Sequence, residues 1–199
     1  MNNNKIVLIA LLLFIALKSV AQMPEKNTDI SPLLIGEVIP DTTLIAPDGT
    51  KQTTRSIFSK NSTVLLFYRG GWCPYCNLHL SEIQKVENQV VALGYQIVAV
   101  SPDSPKNLLQ TTAKDSLNYS LYSDSEGALI KLMGIAFKVP KNYEGTIKKG
   151  SEGVNSSFLP VPAVFIVDKS GRIMFEYISP NIKNRLSGEL LIAVLKNLK

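Results

Sequence analysis

The chain has 199 residues and a net charge of +5 at pH 7, from 21 lysine and arginine residues against 16 aspartate and glutamate residues. This excess of positive charge is small and spread along the chain, so it gives no case for nucleic-acid binding. With one histidine and two cysteines, the chain lacks the four nitrogen and sulfur ligands that a closed zinc site usually needs. We therefore expect no metal, no other cofactor and no nucleic-acid partner.

The first 21 residues have the pattern of a secretory signal peptide. Residues 1–5 carry one positive charge, residues 6–17 form an apolar run of 12 residues, and residues 19–21 place small side chains before a cut at Gln22. The apolar run is shorter than the ~20 residues of a membrane-spanning helix, although an uncleaved anchor is the alternative. We predict an exported protein, periplasmic or secreted, with no stable membrane association after signal cleavage.

Residues 22–40 are polar and interrupted by prolines, which predicts a surface lead-in to a domain spanning residues 41–199. The first part of that domain alternates segments typical of strands and helices, which predicts parallel strands with right-handed crossovers. The segments are two short strands over 41–45 and 51–54, a helical turn over 55–59, a strand over 62–68, a helix from Pro74, a strand over 96–100, a helix over 105–116, a short strand over 119–122 and a helix over 126–137.

The last part of the domain differs from the first. Residues 139–158 are rich in lysine, glycine and serine, and we predict a loop-like insertion there. A β-hairpin over 163–178 and a closing amphipathic helix over 187–198 follow. The predicted fold class is therefore α/β, with a mixed central sheet flanked by helices on both faces.

Both cysteines lie in one motif, Trp72-Cys73-Pro74-Tyr75-Cys76, between a buried strand and a helix. Cys73 faces the unpaired N–H groups and the positive dipole end of the helix, which lowers the pKa of a thiol. Cys76 lies one turn further on, where it can attack a mixed disulfide or sulfenic acid on Cys73, or the reverse. A disulfide between them closes a very short loop and adds little stability, so the spacing favours redox chemistry over a structural bridge.

Other residues near the motif are less specific. Trp72 and Tyr75 form an apolar rim that can dock a partner protein or limit water, but plain packing explains Trp72 equally well. His79 is expected to be a surface residue of the helix, since nothing near it in sequence pairs with it. Pro162 precedes a strand, where proline is sterically ordinary, so spacing alone assigns it no role.

The motif over residues 67–76 and the strand over 161–168 with its hairpin resemble the thioredoxin-like superfamily. More closely, the chain resembles the peroxiredoxin-like branch of the alkyl hydroperoxide reductase/thiol-specific antioxidant family, roughly over residues 33–198. The resemblance implies a thioredoxin-like fold in which Pro162 is a cis-proline beside the dithiol and the backbone of its neighbour Val161 pairs with substrate. The predicted substrate- or partner-docking residues are Trp72, Pro74, Tyr75, Val161 and Pro162.

The two parent patterns assign the nucleophile differently. In the thioredoxin pattern Cys73 attacks and Cys76 resolves the intermediate. In the peroxiredoxin pattern Cys76 takes the place of the peroxidatic cysteine, and Arg69 takes the place of a proline. Pro162 also stands near where peroxiredoxins carry an arginine, so Arg69 or Arg172 is the predicted substitute.

A further departure concerns proton transfer. Thioredoxins often have a buried carboxylate in the strand before the motif, but Val64–Phe67 is wholly apolar here. A proton relay, if one is needed, must come from a distant carboxylate or from water.

Three functions follow from these observations. The family resemblance implies a thiol peroxidase that reduces hydroperoxides with electrons from a thioredoxin-like donor. The intact dithiol and Pro162 support an alternative, a thiol:disulfide oxidoreductase acting on protein disulfides. The third candidate is a non-enzymatic binding module that uses the aromatic rim or a metal.

Overall fold

The computed structural model describes residues 22–198, so the predicted signal peptide lies outside the described residues. The strands are β1 (Thr43–Ile45), β2 (Lys51–Thr53), β3 (Ser62–Phe67), β4 (Tyr95–Ser101), β5 (Ser120–Ser123), β6 (Ala136–Lys138), β7 (Phe158–Pro160), β8 (Ala163–Val167) and β9 (Ile173–Ile178). The helices are α1 (Thr54–Phe58), α2 (Pro74–Ala92), α3 (Pro105–Asp115), α4 (Ala128–Leu132), α5 (Glu144–Gly150) and α6 (Gly188–Asn197), and a 3₁₀ turn spans Lys141–Tyr143.

The central sheet has the strand order β2-β1-β5-β4-β3-β8-β9. Strands β3, β4 and β5 run parallel to one another. Strand β8 lies antiparallel to β3, and β9 lies antiparallel to β8. Strands β6 and β7 pair with each other outside this sheet. The predicted mixed sheet is therefore confirmed.

Helices cover both faces of the sheet, because alternate residues of β3 point to opposite sides. Val64 and Leu66 pack in a core with residues of α2 and α6. Leu65 and Phe67 pack in a second core with residues of α1 and α4. This double coverage explains why β3 is a continuous apolar run and not an alternating one.

The helix predicted over 126–137 is too long. Helix α4 ends at Leu132, and Ala136–Lys138 form β6. Gly134, with a positive φ of 67°, turns the chain between them. A Cβ at Gly134 would collide with the carbonyl oxygen of Ser31, so the lead-in packs directly against this glycine.

The prediction that residues 139–158 form a loop without regular structure is also wrong. This segment contains the 3₁₀ turn and α5, and it ends at Phe158, which is buried in β7. Helix α5 buries only Ile147, so its sequence has no apolar periodicity from which a helix can be predicted. Packing and long-range backbone bonds order it instead, such as that from the Ser104 N–H to the Gly150 carbonyl (2.9 Å).

Pro162 follows a trans peptide, since residues 22–198 contain no cis peptide bond. The cis-proline implied by the thioredoxin resemblance is therefore wrong. The backbone around it is held from both sides: Val161 N–H donates to the Ile135 carbonyl, and the Pro162 carbonyl accepts from Ser179 N–H.

The lead-in runs over the domain surface and bonds to it. Ser31 and Leu33 N–H groups donate to the Gly134 and Met133 carbonyls, and Ile39 is buried. Within residues 22–198, no helix combines the length and apolar character needed to cross a membrane.

Candidate active site

The turn between β3 and α2 depends on two adjacent glycines. Gly70 has a positive φ of 140°, and a Cβ there would collide with the indole of Trp72. A Cβ at Gly71 would collide with Thr111 Oγ1 of α3. Only glycine lets the chain pass between these groups, and this passage brings Cys73 to the start of α2.

Cys73 is the N-cap of α2 and Pro74 occupies the first helical turn, as the motif predicts. The Cys73 side chain is buried, with 1% of its surface exposed. A hydrogen bond from the Cys76 thiol, with the nearby Arg69 and Arg185 charges, lowers the pKa of Cys73 to about 6 despite this burial. Cys73 is therefore mostly a thiolate at neutral pH.

Cys76 has the opposite ionisation. It is equally buried, and both cysteines are free thiols in this structure. Its hydrogen bond to Cys73, together with burial, raises the pKa of Cys76 well above that of an ordinary thiol. These opposite shifts favour the thiolate at Cys73 and the protonated thiol at Cys76.

Arg69 lies against the Cys73 thiolate, with Nη1 3.9 Å from Sγ. Its guanidinium carbon is 4.8 Å from the ring centroid of Trp72 and 4.5 Å from that of Tyr143. Arg69 is 3% exposed and forms no ion pair with a carboxylate of residues 22–198. Because a buried cation needs compensation, two aromatic faces and the thiolate stabilise it.

Arg185 approaches the other cysteine. Its Nη2 lies 3.7 Å from Cys76 Sγ, and its Nη1 donates to the Asn184 carbonyl. The adjacent Leu186 carbonyl lies 3.0 Å from His79 Nε2. The prediction of a surface His79 is therefore wrong, since His79 is buried and anchors the segment that carries Arg185.

Arg172, the other predicted substitute for the missing arginine, is not in the site. It is exposed beside the turn between β8 and β9, where its guanidinium donates to the Gly36 carbonyl. Arg69 and Arg185 are the arginines that reach the thiols.

Asp103 supplies a buried carboxylate beside the motif. It follows β4, and its Oδ2 accepts from the Gly71 N–H at 2.7 Å. Burial raises the pKa of Asp103 to about 6. It lies beside the turn that Gly70 and Gly71 form, at the end of β4 and not within the apolar strand β3.

The predicted docking residues divide into two groups. Pro74 and Tyr75 are exposed on the first turn of α2, and Trp72 is half-buried under Tyr143 and Arg69. Val161 and Pro162 are buried, and the Val161 N–H that would pair with substrate already bonds to Ile135. The structure therefore leaves Pro74 and Tyr75 accessible to a partner, while Val161 and Pro162 line the interior.

Sequence reasoning missed Arg185, Tyr143 and Asp103 as site residues. Asp103 had a usable signal, because it directly follows a buried parallel strand and the carboxyl ends of such strands meet at one edge of the sheet. Arg185 and Tyr143 had none, since both come from irregular segments far along the chain.

Comparison with known proteins places the chain in a family. The model of the AhpC/TSA family matches residues 35–176, so the chain belongs to this family. The putative peroxiredoxin bcp of Haemophilus influenzae is 25% identical over 169 residues, which cover 85% of this chain and all of that protein. Peroxiredoxin bcp1 of Schizosaccharomyces pombe is 30% identical over 112 residues, which cover 56% and 57% of the two chains.

Solved structures show the same fold. Peroxidoxin BcpB of Mycobacterium tuberculosis superposes with a TM-score of 0.68 at 16% identity, covering 83% of this chain and 97% of that one. PrxQ of Xylella fastidiosa gives a TM-score of 0.66 at 20% identity, covering 84% and 96%. The chain is thus a peroxiredoxin-like oxidoreductase of thioredoxin-like fold, as its motifs predicted.

Proposed function

We propose that this protein reduces hydroperoxides, with Cys73 as the attacking thiolate and Cys76 as the resolving thiol. The observation that carries the proposal is the position of Cys73 at the N-cap of α2 with Arg69 Nη1 3.9 Å from its sulfur, and the pKa of Cys73 falls to about 6 while that of Cys76 rises. Family membership supports peroxide as the oxidant, and the peroxiredoxins that this chain resembles support a thioredoxin-like electron donor.

The steps balance with the groups present. The Cys73 thiolate attacks the terminal oxygen of the hydroperoxide, the O–O bond breaks, and the leaving alkoxide takes a proton to become an alcohol. Cys73 is then a sulfenic acid. The Cys76 sulfur attacks it, the Cys76 proton leaves with the hydroxyl as water, and a disulfide forms. A dithiol donor reduces this disulfide and is itself oxidised.

Arg69 supplies the positive charge that the first step needs. Its Nη1 lies 3.9 Å from the Cys73 sulfur, where it favours the thiolate and any negative charge that develops on the departing oxygen. Arg185 has the same position relative to Cys76. Together they replace the arginine that the family pattern places where Pro162 stands here.

The opposite assignment, with Cys76 attacking, is less favourable. It requires the proton of the pair to lie on Cys73, whereas burial and the contact with Cys73 raise the pKa of Cys76. The nucleophile of this chain thus follows the thioredoxin pattern, although the family is that of the peroxiredoxins.

Protein disulfides fit the site less well than a hydroperoxide. Both cysteines are 1% exposed, so a bulky disulfide cannot contact Cys73 unless the covering side chains move. The Val161 N–H is also unavailable to a substrate backbone. A hydroperoxide is much smaller, so it needs a smaller movement of the side chains around Cys73.

Export is part of the proposal, supported by the charge and hydropathy pattern of residues 1–21. N-terminal sequencing of the protein purified from its native host tests it. A mature chain that begins at Gln22 supports export, and one that retains residues 1–21 contradicts cleavage.

The peroxidase reaction is tested with single cysteine variants and one equivalent of hydrogen peroxide. Cys73→Ser should react no faster than a free thiol, whereas Cys76→Ser should turn over once and accumulate a sulfenic acid that dimedone traps. Circular dichroism checks that both variants fold. Trapping on Cys76 in the Cys73→Ser variant would reverse the assignment, and no trapping in either would remove the peroxidase function.

A further inference from the structure

The Arg69 guanidinium is a buried cation with few polar partners. It is 3% exposed, and no carboxylate of residues 22–198 forms an ion pair with it. Its Nε is buried and has no hydrogen-bond partner in that range, where the one hydrogen bond of the side chain joins Nη1 to the Cys73 sulfur at 3.9 Å. A charged group is more stable in water than in such a place unless its surroundings compensate it.

Two aromatic rings supply that compensation, and they lie close together. The guanidinium carbon is 4.8 Å from the ring centroid of Trp72 and 4.5 Å from that of Tyr143. The two centroids are 5.3 Å apart, with the ring planes inclined at 36°. The three distances form a nearly equilateral triangle, so the rings meet beside the guanidinium and do not enclose it from opposite faces. Both rings are only partly buried, so they form the layer that covers the cation.

The two rings reach Arg69 from different parts of the chain. Trp72 belongs to the same turn as Arg69, whereas Tyr143 ends the 3₁₀ turn that precedes α5. Both rings pack against a small apolar cluster, which consists of Phe137, Ile147, Leu159 and Val161. The core therefore fixes the position of the Tyr143 ring independently of Arg69, and the ring can hold a side chain that has few bonds of its own.

The ring of Tyr143, and not its hydroxyl, makes the contact with Arg69. The hydroxyls of Tyr119 and Tyr122 form hydrogen bonds, but that of Tyr143 forms none with residues 22–198. A cation beside an aromatic face is attracted by the electrons of the ring. A phenylalanine ring therefore makes the same contact, whereas an aliphatic side chain does not.

We propose that Tyr143 is a positioning residue, whose ring holds the Arg69 guanidinium against the Cys73 sulfur. Without the ring, water reaches the guanidinium and the long side chain gains other conformations, so less positive charge stays beside the thiolate. The ionisable groups that act directly on Cys73 are Cys76, Arg69 and Arg185, and Tyr143 acts through Arg69. The inference deepens the proposed peroxidase function and rests on it for any effect on rate, but the ionisation of Cys73 tests it without peroxide.

The test compares Tyr143→Leu with Tyr143→Phe by the ultraviolet absorbance of the thiolate in the reduced protein. A cation beside an acid lowers its pKa by ~1–3 units, and Tyr143→Leu should lose part of this effect, so the midpoint of Cys73 should rise by ~0.5–1 pH unit. Tyr143→Phe keeps the ring and should retain the wild-type midpoint. Tyr95→Leu is the matched control and should also retain it, because Tyr95 pairs with Ser62 at the end of β3 away from the motif.

A double variant shows whether Tyr143 acts through Arg69. In an Arg69→Met background, Tyr143→Leu should cause no further rise, because the cation that the ring holds is absent. At pH 6, near the wild-type midpoint of Cys73, Tyr143→Leu should also reduce hydrogen peroxide ~2- to 5-fold more slowly, and Tyr143→Phe should not. Circular dichroism checks the fold, and Tyr143→Met replaces Tyr143→Leu if that variant does not fold.

Three results would overturn the proposal. They are an unchanged midpoint in Tyr143→Leu, an equal rise in Tyr143→Phe, and a full additional rise in the Arg69→Met background. Failure of the peroxidase function has a different signature. A raised midpoint in Tyr143→Leu, with a wild-type protein that does not react with peroxide, would support the positioning of Arg69 and contradict the peroxidase function alone.

Discussion

Replacing Cys76 should restore an ordinary pKa to much of the Cys73 thiol. The pKa of Cys73 lies at about 6 against 9.0 for an unperturbed thiol, and the hydrogen bond from Cys76 is the largest cause. Three pKa units correspond to about 4 kcal/mol of preference for the thiolate, so about 90% of Cys73 is ionised at pH 7. A hydrogen bond to a charged group contributes ~1.5–3 kcal/mol of this, or ~1–2 pKa units.

The substitution that isolates this bond is Cys76→Ala, with Cys76→Ser as its matched control. Alanine removes the donor, so the pKa of Cys73 should rise by about 1–2 units. Serine keeps a hydroxyl donor and should retain most of the lowering. The ultraviolet absorbance of the thiolate, followed from pH 4 to pH 10, suits this site, because it does not require a reagent to reach a buried sulfur.

Two results would refute this account of the site. One is a wild-type titration with no thiolate below pH 8. The other is a Cys76→Ala midpoint equal to that of the wild type, which would mean that helix and arginine charges alone lower the pKa. A low-pKa transition that persists in Cys73→Ser would assign the thiolate to Cys76 instead.

Three further predictions concern residues around the thiols and the 139–158 segment. Burial lowers the pKa of His79 to about 4 from 6.5, so on acidification the unfolded chain binds a proton before the folded protein does. The free energy of unfolding should therefore fall by up to about 3 kcal/mol as the pH drops from 6.5 to 4. Urea titrations of His79→Gln should lack this loss. Arg69→Met removes the cation nearest to Cys73, so it should raise the pKa of Cys73 and slow peroxide reduction several-fold. Thiolate absorbance measures the pKa, and stopped flow measures the rate. An unchanged pKa of Cys73 would contradict the contact. Phe158→Ala should lower the free energy of unfolding by about 3–5 kcal/mol, because the Phe158 side chain is only 2% exposed. Val154 is 58% exposed, so Val154→Ala should change the free energy of unfolding by less than about 0.5 kcal/mol. Equal effects of the two substitutions would show that the segment is not part of the core.

The strand–glycine–helix unit could be predicted because its signals are local. An apolar run marks β3, Gly70 and Gly71 mark the turn, and Pro74 marks the first turn of α2, so both cysteines could be placed at the start of a helix. The alternation of strands and helices likewise predicted the mixed sheet. Predictions failed where local pattern was weak, as in α5, which buries a single apolar side chain.

The sequence by itself thus determined the fold class, the dithiol and its place at a helix N-terminus, since these depend on residues close together in the chain. Only the tertiary structure bears on the choice of which thiol is ionised. That choice depends on burial and on charges from distant segments: Arg185 lies 109 residues from Cys76, and Tyr143 reaches Arg69 from a segment that seemed to be a loop. Because a pKa is set by whatever surrounds the group in space, the role of each cysteine could not be read from the motif that contains them both.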